Sequence, residues 1–347
     1  MKEKTELKST SDTVRSYLFY LINYENYYQS WIQNKLRSPT LDKIMKNISL
    51  LGSTLSFLVI IPSLYLMSET HLGFAYLFTL NMILAVYITN YFKDLFCLPR
   101  PQLPVKQLDL IKSHFKEFGF PSTHSTLSIS LGFSLVDHLQ IYISESMKIS
   151  LYCFIFVIIF SRYYLGMHSL CDILAGISLG YLIYYNTNYH SSFIFHLLYH
   201  KSIISTLFFT PIVSYLFLNL IPPPIKGNCP CFLDSIRVFS LLMGMKLATC
   251  YKPISINIIA NIMSTQQYVI RLILGYSMFI VIFLITEVGH KIVKLSYLKF
   301  SNSSNTEAVN QDDIIAFLKK CTIYIQFYII GFVVTYFIPH TLNQFNF

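Results

Sequence analysis

Three short stretches of this 347-residue chain hold the residue types from which phosphoryl transfer can be built. KDLFCLPRP supplies Lys93 and Arg100, FPSTHS supplies Ser122, Thr123 and His124, and SRYYLGMHSLCD supplies Arg162, His168 and Asp172. Moving a phosphoryl group needs cations that hold its equatorial oxygens as charge develops. It also needs a nucleophile, and a proton donor for the departing oxygen. His168 and Asp172 are four residues apart, hence on one face of a helix. That spacing lets Asp172 accept the His168 Nδ1–H and leaves Nε2 free to attack phosphorus. Singly, each residue is ordinary: an Arg ending a span snorkels to headgroups, and a Lys there is an anchor. Together, K-x6-RP, PSTH and SR-x5-H-x3-D ask for a common explanation.

The elements that must position these residues are membrane helices. The chain is 54% hydrophobic and only 12% charged, with a mean hydropathy of +0.51. Soluble domains carry about 25% charged residues, so an integral membrane protein is expected. A span takes about 20 apolar residues. Nine stretches qualify, near 47–67, 73–92, 125–143, 148–165, 169–186, 203–221, 235–251, 271–289 and 322–340. Residues 14–35 are Tyr-rich around Glu25 and fit an interfacial helix. Alternating the spans puts loop 93–124, the junction at 162–168, loop 222–234 and the Ser/Asn-rich loop 291–320 on one face, with the N-terminus. His124 and His168 then lie just before spans, with Ser122, Thr123 and Ser169 as candidate N-caps. Two helix N-termini would aim N–H groups and positive dipole ends at one anion.

Composition excludes other classes. The net charge of +9 suits anionic lipid headgroups, but no basic face with interleaved aromatics lies outside the spans, so nucleic acid is not an expected partner. The CPC loop of Cys229 and Cys231 lacks zinc spacing; two thiols are the plainer expectation, a disulfide or metal role the alternative. No carboxylate cluster would hold a metal. No removable signal peptide is expected.

The three stretches resemble the signature of the type 2 phosphatidate phosphatase (PAP2) superfamily, K-x6-RP, PSGH and SR-x5-H-x3-D, with Thr123 where most members have Gly. The text LPRPQLPV…KEFGFPSTHS and the later CPCFLDS look like the sphingosine-1-phosphate, or long-chain-base phosphate, phosphatase branch. The resemblance covers about residues 90–240. It implies an all-α polytopic helical bundle of about eight or nine spans around a six-helix catalytic core. The corresponding division is a polar or interfacial segment 1–46, a catalytic domain 47–289, a polar loop 290–321 and a last helix and tail 322–347. It implies His168 as the phosphorylated nucleophile, Asp172 as its orienter and His124 as proton donor to the lipid alcohol. Lys93, Arg100, Arg162, Ser122 and Thr123 would hold phosphate, with backbone N–H groups around Gly119–Thr123. It implies no cofactor and no metal, a lipid phosphate substrate, membrane lipids as partners and an endoplasmic reticulum membrane.

Asp234 supports two readings: an N-cap of span seven, or a carboxylate for the ammonium of a sphingoid headgroup. Alternatives are a broader lipid phosphate or polyprenyl diphosphate phosphatase, a transferase of the sphingomyelin synthase kind, against which Lys93 and Arg100 argue, and a non-catalytic transporter or binding protein. Lys and Arg counts in the N-terminal 46 residues and in 291–320 point the active face to the cytosol, whereas the resemblance points to the lumen. The Asn302 sequon lies on that same face.

Overall fold

The computed structural model describes residues 2–66, 72–111, 114, 116–198, 203–220, 230–251, 264–303 and 308–344, which are helices joined by turns and loops, with no strand among them. In chain order the helices are α1 (Lys2–Leu36), α2 (Pro39–Leu51), α3 (Thr54–Leu66), α4 (Leu72–Phe96), α5 (Thr123–Leu139), α6 (Glu145–Tyr164) and α7 (Leu170–Tyr189). They continue with α8 (Ser191–Leu198), α9 (Ile203–Leu220), α10 (Cys231–Tyr251), α11 (Thr265–Ser303), α12 (Ala308–Phe332) and α13 (Ile338–Gln344), the last two joined by a π-helical stretch, Val333–Phe337. Four segments among the described residues are long and apolar enough to cross a bilayer: Leu72–Phe96, Glu145–Tyr164, Thr265–Val293 and Phe317–Gln344. The chain is a multi-pass helical membrane protein.

Several sequence expectations are corrected here. The first predicted span, 47–67, is two helices. α2 stops at Gly52, and the Ser53 and Ser56 hydroxyls both donate to the Leu50 carbonyl, which offers that backbone group an alternative to the helical ladder. The predicted polar loop 291–320 is helical through Ser303 and again from Ala308. No Pro or Gly lies between 290 and 303 to stop α11, so it outlasts its apolar part. Asp234 is not an N-cap: α10 begins at Cys231, and Asp234 sits in its first turn with its N–H donated to the Pro230 carbonyl. Cys231 is disulfide-bonded, against the expectation of two thiols; Cys229 and most of loop 222–234 lie outside the described residues.

Contacts divide the chain into two units, one of Met1–Leu58, Leu80–His190 and Ile221–Asp234, the other of Val59–Thr79, Ser191–Leu220 and Ser235–Phe347. The first carries all the motif residues. Its centre is the packing of α5 on α7. A Cβ at Gly176 or Gly180 would stand 2.6 Å from the Ser122 or Thr126 carbonyl oxygen, so the two backbones touch, as small residues allow in membrane bundles. Ile129 and Val136 of α5, Ile155, Ile159 and Tyr163 of α6, and Ile173 of α7 form one buried cluster behind this seam. The second unit has a cluster of Leu66, Val333, Ile338 and Leu342, against which Leu272, Leu274 and Phe279 of α11 pack.

Candidate active site

α4 ends with Lys93 in its last turn. Cys97, at φ 48°, adopts the left-handed conformation that closes helices, and the chain then turns into the 98–122 loop carrying Arg100. Two capped starts follow. Ser122 caps α5, its hydroxyl accepting from the Ser125 N–H. Ser169 caps α7 in a capping box: its hydroxyl accepts from the Asp172 N–H, and Asp172 Oδ2 accepts from the Ser169 N–H at 2.8 Å. The Ser122 N–H donates to the Asp172 carbonyl at 3.0 Å, which ties the two starts together.

His168 lies between α6 and α7, 1% exposed. Its Nε2 is 3.0 Å from Arg100 Nη1 and its Nδ1 is 2.9 Å from the Gly119 carbonyl oxygen. A guanidinium only donates, so Nε2 accepts, the ring proton sits on Nδ1, and Nδ1–H donates to Gly119. Asp172 Oδ2 is 3.6 Å from Nδ1. The predicted direct bond from His168 to Asp172 is therefore replaced by one to Gly119, because the capping box holds that carboxylate oxygen. Burial pushes the His168 imidazole well below its ordinary value, and the Arg100 charge adds to this. The ring is neutral, with a lone pair on Nε2.

Arg100, Arg162 and Lys93 are cations buried in the same unit as His168. Arg100 also donates to the Met167 and Glu117 carbonyls, at 2.8 and 3.1 Å, and burial lowers it to about 10. Arg162 is fully buried. Its Nη1 donates to Ser49 and Asp109, at 2.6 and 2.9 Å, while its Nε and Nη2 have no hydrogen-bond partner among the described residues. Lys93 donates to Glu117 Oε2 at 2.7 Å. Burial alone would raise Glu117, yet Lys93 and Arg100 hold it down at about 2. The His124 ring meets the His114 ring edge-on, centroids 5.1 Å apart. His114 Nδ1 is 2.9 Å from Asp109 Oδ2; burial works to raise Asp109, but His114 and Arg162 keep it well below the usual carboxylate range.

Arg100 thus holds His168 Nε2, with Lys93, His124 and Arg162 buried in the same unit, while other groups expected at the phosphate are engaged elsewhere. The Thr123 hydroxyl donates to Thr89 at 3.3 Å, and the Gly119 and Ser122 N–H groups are engaged by Leu98 and Asp172, so these do not face an anion. Asp234 is half-buried. The Asn90 amide donates to the Cys231 carbonyl at 3.1 Å, holding the start of α10 to α4, and Asp234 is close enough to act electrostatically on Lys93.

Sequence reasoning missed Glu117, Asp109 and His114, and it missed the support from α1. The α7 N-terminus does not point its N–H groups at a ligand: Leu170 and Cys171 donate to the Glu25 carboxylate, which burial pushes upward. Gln29 donates to the Tyr163 and His168 carbonyls, at 2.7 and 2.9 Å. Gln33 donates to Tyr164 and Lys106 and accepts from the Lys106 N–H. The signal was present as Glu25, Gln29 and Gln33, four residues apart on one helical face among tyrosines. Gln29→Ala removes a buried donor from two carbonyls; about 1–3 kcal/mol of stability should go with it, read as a lower unfolding temperature of the detergent-solubilised protein.

Residues 74–192 match the PAP2 superfamily. The chain is 28% identical over 245 residues to a dihydrosphingosine 1-phosphate phosphatase of Saccharomyces cerevisiae, covering 67% of this chain and 58% of the relative. It is 28% identical over 265 residues to a dihydrosphingosine 1-phosphate phosphatase of Schizosaccharomyces pombe, covering 72% and 63%. The chain therefore spans about three-fifths of the length of these curated relatives. A transmembrane PAP2-type phosphatidylglycerolphosphate phosphatase from Bacillus subtilis is similar at 22% identity and a TM-score of 0.40, over 52% of this chain and 96% of that one. The motif residues, from Lys93 to Asp172, all lie within that match, so residues 74–192 form a PAP2 superfamily region, and the relatives above are named as dihydrosphingosine 1-phosphate phosphatases.

Proposed function

We propose that the protein is a lipid phosphate phosphatase of the endoplasmic reticulum membrane that hydrolyses sphingoid base 1-phosphates without a metal, through a phosphohistidine. The observation that carries this is the Arg100 guanidinium on His168 Nε2 at 3.0 Å, with Lys93 and Arg162 buried in the same unit. These three cations would supply the charge that phosphoryl transfer needs. Their orphaned or exchangeable donors, Arg162 Nε and Nη2 foremost, fit phosphate oxygens bidentately.

In this reading Arg100 leaves Nε2 for a phosphate oxygen. Nε2 attacks phosphorus, forming a P–N bond as the P–O bond to the lipid breaks. His124, charged once the phosphate dianion offsets the surrounding cations, gives its proton to the departing alkoxide, then takes one from the water that attacks the phosphohistidine and releases phosphate. Gly119 and Asp172 hold the proton and the charge on the Nδ1 side. The second reading, a broader lipid phosphate or polyprenyl diphosphate phosphatase, uses the same atoms; the relatives' names favour the sphingoid class. Phosphate release by the purified protein in chelator should be faster from dihydrosphingosine 1-phosphate than from phosphatidate or a polyprenyl diphosphate. Faster release from either competitor selects the second reading, and dependence on an added divalent cation removes the metal-free mechanism.

A further inference from the structure

Three carboxylates flank the phosphate cradle, and they are not equivalent. Asp172 is fully buried and bound by the Ser169 N–H. Asp109 is held between Arg162 and His114, its side chain 5% exposed. Glu117 is the outward one, its side chain 18% exposed against 1% for Lys93 and 5% for Arg100. One oxygen, Oε2, serves both cations, at 2.7 Å from Lys93 Nζ and 3.6 Å from Arg100 Nη2. These are the cations a phosphate must engage. The Glu117 carbonyl is fixed by Arg100 Nε, so the backbone is anchored while the carboxylate is the part that can turn.

A dianion entering this cradle meets a like charge where it must bind. That repulsion is costly in a partly desolvated site unless the carboxylate finds another cation as it gives up Lys93 and Arg100. A sphingoid base 1-phosphate brings one: its ammonium is on the carbon next to the phosphate-bearing carbon. Phosphatidate brings none.

We propose that Glu117 occupies the phosphate cradle of the empty enzyme, yields Lys93 and Arg100 to the incoming phosphate, and takes the substrate ammonium in exchange, which makes it the residue that selects amine-bearing substrates. This rests on the sphingoid-phosphatase reading above, and it moves the headgroup contact from Asp234 to Glu117.

The test uses the full-length protein in detergent micelles. Dihydrosphingosine 1-phosphate is compared with its N-acetyl derivative, which keeps the phosphate and removes the positive charge, and inorganic phosphate serves as competitive inhibitor. Glu117→Gln should lower the amine-to-amide ratio of kcat/KM by about tenfold or more, the scale of one charge-assisted contact. It should also tighten inhibition by inorganic phosphate, because the self-competitor is gone; Glu117→Asp should keep most of the ratio. Equal losses on both substrates with weaker phosphate inhibition would make Glu117 a fixed strut for Lys93 and overturn the proposal. So would a loss of amine preference in Asp234→Asn but not in Glu117→Gln. If the wild-type protein cleaves neither sphingoid ester but cleaves another phosphate, the substrate reading fails on its own, and phosphate inhibition of Glu117→Gln still decides whether the carboxylate competes for the cradle.

Discussion

His168→Ala is expected to reduce phosphate release from dihydrosphingosine 1-phosphate by about 10⁴-fold or more, the scale seen when a nucleophile that acts as part of a unit is removed. The size of the effect follows from the geometry. The Gly119 carbonyl takes the Nδ1 proton on one side of the ring, which leaves the lone pair on Nε2, where the Arg100 guanidinium stands. Burial keeps the ring neutral, so its lone pair is available without a base to unmask it. Alanine leaves the cradle intact, because Arg100 retains its bonds to the Met167 and Glu117 carbonyls. Binding of inorganic phosphate should therefore change little while turnover vanishes. Substrate labelled in the phosphate, quenched into alkali, should leave acid-labile label on the wild-type protein and none on the variant. Label of equal amount on His168→Ala would sink the phosphohistidine.

The residues of the candidate site were more legible in the sequence than the architecture that holds them. Lys93, Arg100, His124, Arg162, His168 and Asp172 could be picked out because phosphoryl transfer needs those types and the helical period relates two of them. That they would meet followed from span parity, although the first span, 47–67, proved to be two helices broken at Gly52. Hydropathy reads how apolar a stretch is; it does not see a serine hydroxyl capturing a carbonyl, as Ser53 and Ser56 do at Leu50. The exchange of Asp172 for Gly119 as the nearer partner of His168 was also hidden. Spacing places side chains on a face, but the capping box that claims Asp172 Oδ2 depends on where the helix starts. Glu117 and Asp109 escaped notice for a simpler reason. A lone acid in a polar loop reads as solvated surface until the fold folds that loop over two buried cations. The α1 face was the opposite case. Its Glu25, Gln29, Gln33 pattern was present in the sequence but was masked by seven exposed aromatic neighbours that suggested a membrane interface: Tyr17, Phe19, Tyr20, Tyr24, Tyr27, Tyr28 and Trp31.

His124→Ala is expected to show a dependence on the leaving group that no other site variant shows. The residue sits in the first turn of α5, behind the Ser122 cap, with its ring against His114. Its proposed task is to protonate an alkoxide, and a general acid of this kind contributes about 10²–10⁴-fold. The lipid alcohol of a sphingoid phosphate is a poor leaving group and needs that proton as the P–O bond breaks. The phenolate of p-nitrophenyl phosphate leaves without it. Formation of the phosphohistidine, measured as a single-turnover burst, should fall by two to four orders of magnitude for dihydrosphingosine 1-phosphate and far less for p-nitrophenyl phosphate. Steady-state turnover should drop for both, because water attack on the intermediate still needs His124 as base. His114→Ala separates a proton-donor role from packing. It removes the ring against His124 and one of the three groups on Asp109, so it should slow both substrates alike. An equal burst loss for both substrates in His124→Ala would remove the proton-donor assignment and leave His124 as a wall of the phosphate cradle.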